Sequence, residues 1–156
     1  FPQSGGLPLA KRAPQRQAYR LVELKRFAEH LGLALNPQPR YFPADATPSA
    51  RLITAVAQQD GMAAAMALAG AVLAACWREE RDIARDATLA ELLEECDLPA
   101  ERLAESRGAD TQARYDAHTQ AAMYAGVFGA PTYVSDGELF WGQDRLDFVA
   151  RKLGIV

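Results

Sequence analysis

The chain has 156 residues, enough for one domain with a hydrophobic core, and at 49% hydrophobic residues it is not a disordered tail. Its formal net charge of -3 leaves no basic surplus for a nucleic-acid surface. The longest strongly apolar stretch, Met62 to Trp77, is mostly alanine and stops short of the roughly 18–20 residues a membrane span needs.

The two cysteines, Cys76 and Cys96, fit neither a metal-ligand nor a redox spacing, so no metal site is expected and a reducing, cytoplasmic location is the default. The chain opens on Phe1-Pro2 rather than on methionine, with no signal peptide, and reads as a piece of a longer protein or its ordered part.

Phe1 to Pro14 carries Gly5, Gly6 and prolines at 2, 8 and 14, and reads as an irregular arm. Pro14 suits the first turn of a helix, where its missing N–H costs nothing. Leu21, Leu24, Phe27, Ala28 and Leu31 then recur at helical spacing up to Gly32. Four prolines between Asn36 and Pro48 exclude a regular helix or central strand there.

Ser49 to Gln59 predicts a helix that ends at Asp60-Gly61. Met62, Met66, Ala69, Leu73 and Cys76 mark a longer one, so rich in small residues that it is expected to sit between other helices. Asp86 or Thr88 can cap a third through Cys96, and a short helix follows Asp97-Leu98-Pro99 to about Ser106. Asp110 or Thr111 can cap the next, which ends at Gly126.

The period then changes from helical to alternating. Thr132-Tyr133-Val134 and Glu138-Leu139-Phe140-Trp141 flank Ser135-Asp136-Gly137, a β-hairpin signature. Leu146, Val149, Ala150 and Leu153 form a final amphipathic helix. A lone hairpin is marginal, and Tyr133, Val134, Leu139 and Phe140 need burial. The simplest missing partner is a β-α-β unit upstream of Phe1.

Two segments carry chemical information. In Gly129-Ala130-Pro131-Thr132, a proline opens a strand. A cis Ala130–Pro131 bond turns the Ala130 backbone outward, where it can pair with an extended peptide ligand; a trans proline at a sheet edge is the alternative. Gly142-Gln143-Asp144-Arg145 lies before the last helix. Asp144 can cap that helix, or accept from a ligand ammonium while Gln143 and nearby N–H groups hold a carboxylate. Trp77, Trp141, Phe128 and Tyr41 are candidates for an aromatic pocket, with core packing the alternative, favoured for Phe128 and Tyr41. His30 reads as a helix-end cation and His118 as a surface or interface residue. Glu79-Glu80-Arg81-Asp82 reads as a solvated helix end, and Cys76 as a small core residue.

Gly126-Val127-Phe128-Gly129-Ala130-Pro131-Thr132-Tyr133, with Asp136 to Leu146, resembles the C-terminal signature of 2-hydroxychromene-2-carboxylate isomerases. These are relatives of kappa-class glutathione transferases in the DsbA-like branch of the thioredoxin superfamily. Weaker similarity lies in Ala75 to Ile83 and Arg12 to Arg20. The resemblance implies an α/β fold, a thioredoxin-like domain with a large helical insertion. It is mostly helical here because the N-terminal β-α-β unit is missing. Residues 1–14 would be the arm, 15–125 the insertion with connecting thioredoxin-domain helices, and 126–156 the C-terminal thioredoxin half.

The resemblance implies glutathione as cofactor. Ala130 beside cis-Pro131 would pair with the glutathione cysteine backbone, Gln143 and Asp144 would hold its γ-glutamyl end, and Arg16 would lie near its glycine carboxylate. Trp77 and Trp141 would line the pocket of a small aromatic substrate. The family serine that bonds the glutathione sulfur has no counterpart in this chain. Relatives often carry a Gly-Asn pair in the arm; here the stretch is Ser4-Gly5-Gly6-Leu7-Pro8. The implied reaction is cis/trans isomerisation by reversible thiolate addition, in a cytoplasmic protein that forms a homodimer. A DsbA-like thiol–disulfide oxidoreductase and a non-catalytic glutathione-binding module are the alternatives.

Overall fold

The computed structural model describes residues 6–155. Ser4 and Gly5 of the arm, and Phe1-Pro2, lie outside the described residues. Seven helices and one hairpin follow in chain order among them: α1 (Pro14–Leu31), α2 (Thr47–Gln59), α3 (Met62–Trp77), α4 (Asp86–Glu95), α5 (Glu101–Glu105), α6 (Ala109–Tyr124), β1 (Thr132–Ser135), β2 (Glu138–Trp141) and α7 (Leu146–Lys152). Short 3-10 turns occupy Leu9–Lys11 and Gln143–Arg145. The chain divides into two compact units, one of Ala18–Asp116 and one joining the described residues up to Gln17 with Ala117 onward.

Glycine ends three helices in the same way. At Gly32, Gly126 and Gly154 the backbone turns left-handed, with φ of 64°, 77° and 67°. The amides that follow, Leu33, Val127 and Ile155, donate back to Ala28, Ala122 and Ala150 at 2.9, 2.9 and 3.0 Å. Carbonyls left over at each helix end are satisfied by this motif, and glycine adopts the required φ without a Cβ penalty.

In the helical unit the core is built from one face each of α2, α3 and α4. Leu52, Val56, Leu68, Leu89, Leu92 and Leu93 are fully buried, joined by Ala65, Val72, Ala75, Cys76 and Ile83. The alanines of α3 let it approach α2 closely, but only along this face. Met62, Met66 and Leu73 are 68%, 66% and 60% exposed, so α3 is not enclosed on all sides as its composition suggests. Helix α2 begins two residues earlier than expected, because Pro48 fits its first turn and Asp45 Oδ1 accepts the Thr47 amide at 2.9 Å.

The expected caps of α4 and α6 differ too. No side chain caps α4: Asp86 is already helical and pairs with Arg107. Helix α6 starts at Ala109, and the Thr111 hydroxyl donates to the Glu105 carbonyl at 2.9 Å.

Two arginines hold this unit together. Arg102 on α5 makes a two-pronged contact with Asp60 at the end of α2, at 2.7 and 2.9 Å, and reaches Glu105 at 2.8 Å. Arg81 joins Glu79, Glu91 and Glu95 at 3.3, 2.9 and 2.9 Å. The run after α3 is exposed at Glu79 and Glu80, as expected of a solvated helix end, but Arg81 turns inward and ties it to α4 by ion pairs. Planar guanidinium forks suit such paired carboxylate contacts.

In the mixed unit the hairpin is antiparallel, with Thr132 opposite Trp141, Tyr133 opposite Phe140, Val134 opposite Leu139 and Ser135 opposite Glu138. The two connecting residues, Asp136 and Gly137, have φ of 49° and 78°. Two positive φ values define the turn whose twist matches a hairpin. Helix α7 lies against both strands, and Lys152 Nζ reaches Glu138 at 3.4 Å and Asp136 at 3.8 Å. Of the four residues expected to need burial, Phe140 is buried and Val134 is 46% exposed.

The Arg102 fork holds the Asp60 carboxyl below its ordinary range through hydrogen bonds, against the opposing effect of partial burial. A lowered folded-state pKa stabilises the fold above the unfolded value of about 3.9 and is lost as pH falls through the folded value. Asp60→Asn therefore lowers the thermal midpoint at pH 7, and the gap to wild type closes as pH falls below about 4. A gap of constant size from neutral pH down to pH ~3, followed by circular dichroism, would contradict this linkage.

Candidate functional site

The loop between α6 and β1 is shaped by side chains that need glycine beside them. Trp141 packs on Phe128 with ring centroids 4.9 Å apart and planes at 60°. A Cβ on Gly129 would fall 2.5 Å from Trp141 Nε1, so the indole lies where only glycine leaves room. Phe128 and Trp141 are 44% and 51% exposed, which places this pair on a surface and not in the core expected for Phe128.

The Ala130–Pro131 peptide is cis. Around it the carbonyls are used unequally. Thr132 Oγ1 donates to the Gly129 carbonyl at 2.6 Å, and the Gly142 amide donates to the Pro131 carbonyl at 3.0 Å. No described residue bonds the amide or carbonyl of Ala130, which is exposed. Backbone groups left open beside a strand are suited to pair with an added extended chain.

The Gly142–Pro131 bond brings the second segment alongside this loop. Gly142 has φ 114°, and a Cβ there would meet Asp144 Oδ1 at 2.5 Å. The Asp144 carboxylate thus folds back over Gly142. It also pairs with Arg145 Nη1 at 2.6 Å, both side chains being about half exposed at 52% and 47%. A pair so exposed is worth little and leaves the carboxylate available to another cation. Asp144 does not cap α7. The 3-10 turn Gln143–Arg145 intervenes, Arg145 is the residue before the helix, and no side chain caps it. Gln143 is exposed on the same turn. Arg16 lies exposed in the first turns of α1, its amide bonded to the Ala13 carbonyl at 2.9 Å.

Trp77 belongs to a different cluster, in the helical unit. It is the last residue of α3, and its carbonyl accepts the Asn36 amide at 2.7 Å. Phe42 packs against it with centroids 4.6 Å apart, and the Arg20 guanidinium stands 5.2 Å from the Phe42 centroid and 5.6 Å from that of Trp77. Tyr41, half-buried next in the chain, carries Arg40 over its ring at 5.4 Å. Phe42 and Arg20 are not singled out by the sequence. Phe42 sits in a proline-rich loop with no periodicity, and Arg20 is one of several arginines on an exposed helix.

The remaining candidates fall outside both groups. His30 is exposed in the last turn of α1 and His118 is exposed on α6. Burial, followed by the Asp82 charge, pushes the Cys76 thiol up; burial, then Glu95 and Asp97, does the same for Cys96. Neither is a poised thiolate. A cavity of about 220 Å³ beside α2, α4 and α5, lined by Arg51, Asp86, Leu89 and Arg107 among others, contains none of these candidates. No group of metal-binding side chains, and no helix long and apolar enough to cross a membrane, occurs among the described residues.

Comparison with known proteins agrees with this architecture. A profile of the DsbA-like thioredoxin domain matches residues 1–154. A 2-hydroxychromene-2-carboxylate isomerase of Pseudomonas sp. (strain C18) is 34% identical over 140 residues, covering 87% of this chain and 62% of the relative. One from Pseudomonas putida is 32% identical over 139 residues, covering 87% and 64%. The chain thus spans less than two thirds of these relatives' length. A solved structure of a 2-hydroxychromene-2-carboxylate isomerase superposes with a TM-score of 0.78 at 25% identity, covering 96% of this chain and 71% of that one. With its helices, its terminal hairpin and helix, and a match along almost its whole length, the chain belongs to the DsbA-like thioredoxin-domain family.

Proposed function

We propose that this chain contributes the glutathione-holding part of a glutathione-dependent isomerase acting on 2-hydroxychromene-2-carboxylate or a closely related aromatic intermediate. The observation that carries the reading is the open backbone of Ala130. Its amide and carbonyl are unclaimed by described residues, beside a strand and alongside the Gln143-Asp144 turn. Glutathione is a short extended peptide with a peptide amide and carbonyl at its cysteine and an ammonium and carboxylate at its γ-glutamyl end. The donor and acceptor set fits it. Ala130 offers one N–H and one C=O, Asp144 an exposed carboxylate for the ammonium, and Gln143 an amide for the carboxylate. Arg16, exposed, is the residue assigned to the glycine carboxylate.

When bound, glutathione supplies a thiolate that can add reversibly to a conjugated carbon–carbon double bond and so permit rotation about it. The chain's own residues bind and orient. Ala130 fixes the tripeptide along its backbone, Asp144 and Gln143 fix one end, and the Phe128–Trp141 pair forms an apolar wall next to Ala130. Such positioning is a major source of rate when two reactants must meet in one geometry. The relatives' shared name supports the choice of reaction.

Calorimetric titration of the full-length protein with glutathione tests the site. Binding is expected, and Asp144→Ala is expected to weaken it about tenfold or more while the circular dichroism spectrum is unchanged, because a charge-assisted contact is removed. Unchanged affinity in that variant would remove Asp144 from the site. Loss of chromene absorbance is expected only with glutathione added. Equal loss without it would overturn the proposed chemistry, and glutathione binding without any loss would leave a binding module.

A further inference from the structure

Arg51 stands apart from Arg81 and Arg102 in the same unit. Those two each meet more than one carboxylate. Arg51, on the second turn of α2, is half-buried, and no described residue gives it a hydrogen bond or an ion pair. Its Nε is buried without an acceptor among the described residues. A buried donor left unmet costs more than an ordinary hydrogen bond contributes, so its persistence calls for a physical reason.

The side chain lines the cavity of about 220 Å³ beside α2, α4 and α5. Two carboxylates share that cavity, and each is already compensated. Asp45 Oδ1 accepts the Thr47 amide at 2.9 Å, and the Thr47 amide and hydroxyl hold the Asp45 carboxyl below its ordinary range. Asp86 pairs with Arg107. Asp45 also precedes the first turn of α2 and Asp86 lies in that of α4, where the positive end of a helix favours a carboxylate. Arg51 alone of the four charged side chains lacks a partner.

An oxyanion would supply one, and the lining narrows its kind. Asp45 and Asp86 repel additional negative charge, which favours a singly charged group over the double charge of phosphate. Pro48, Leu89 and Leu103 form an apolar wall that an inorganic ion cannot use. The volume lies below the about 300–1,000 Å³ of pockets that take drug-sized ligands, so the apolar body is short. A carboxylate matches a guanidinium by taking two N–H donors along one edge.

We propose that this cavity binds a short aliphatic monocarboxylate, with its carboxylate on the Arg51 guanidinium and its hydrocarbon body against Leu89 and Leu103. Rotation of the Arg51 side chain turns the Nε edge to that partner and removes the unmet donor. The site lies within the Ala18–Asp116 unit and shares no residue with the loops at Ala130 and Asp144, so it stands or falls apart from the isomerase reading. A ligand that touches α2, α4 and α5 together also stabilises their packing by mass action.

Butyrate, butyramide and inorganic phosphate are the probes, each titrated calorimetrically into the full-length protein at matched ionic strength. Butyrate is expected to saturate with a Kd on the order of 1 mM, as suits so few atoms. Butyramide, which lacks the charge, and phosphate are expected to bind about tenfold or more weakly. Arg51→Met is expected to lose butyrate binding, and Arg51→Lys to keep part of it, since a point charge replaces a fork. Methyl NMR is expected to place the butyrate-dependent shifts at Leu89 and Leu103, and not at Leu139 or Leu146 of the mixed unit. Absence of saturation in wild type up to about 50 mM would mean a cavity that takes only water, and overturns the proposal. Wild-type affinity in Arg51→Met, phosphate bound as tightly as butyrate, or shifts confined to the mixed unit overturns it equally. Should Arg51→Met fail to fold, the wild-type probe series and Arg51→Lys still decide it.

Discussion

The register of one short hairpin governs the loops that carry the candidate site. Asp136 and Gly137 both take left-handed backbone, and this two-residue turn sets Tyr133 against Phe140 and Thr132 against Trp141. Side chains alternate between faces along a strand, so a slip of one residue would turn each of them to the opposite face. In the observed register Phe140 is buried and Trp141 emerges on the other side, over Gly129 and against Phe128. The same register ends with the Gly142 amide on the Pro131 carbonyl, which holds the loop before β1 beside the turn after β2. The open backbone of Ala130 and the Gln143-Asp144 pair adjoin because the strands pair in this way.

The helical unit achieves its rigidity by different means. Leucines on α2 and α4 and small residues on α3 share one core, with the guanidinium forks of Arg81 and Arg102 spanning the gaps between helices. Each fork meets more than one carboxylate, and this multiplicity is what distinguishes such a network from an isolated surface pair. At its edge the unit carries aromatic residues in a loop that no regular element forms. Rings and cation support one another there: Trp77 ends a packed helix, Phe42 lies on Trp77, and Arg20 reaches both from α1.

Much of this was legible along the chain. The helix ends at Gly32 and Gly126 follow from glycine's freedom to take positive φ after an amphipathic run, and the hairpin follows from alternation around Ser135-Asp136-Gly137. Both are local rules that need no distant partner. Ala130, Pro131, Gln143 and Asp144 stood out for similar reasons, as a proline at a strand mouth and a polar turn before a helix. Other expectations failed where the outcome depended on distant residues. Asp144 has the chemistry of a cap, but the 3-10 turn moves it away from α7. Met62, Met66 and Leu73 have the chemistry of a core, but α3 is covered on one face only. Arg81 looked like part of a solvated run because Glu91 and Glu95, its partners, lie on the next helix.

By itself, then, the order of residues determined the elements, the helix ends at glycine, the hairpin turn and the resemblance to a family, since each depends on backbone preference or on patterns within a few residues. Tertiary structure alone decided which apolar faces are covered, which charges are paired, and which side chain meets which ring. Arg20 and Phe42 show why. They lie 22 positions apart on a helix and an irregular loop, and nothing local to either encodes the other. Their meeting with Trp77 arises only when the loop is hydrogen-bonded onto the end of a third element.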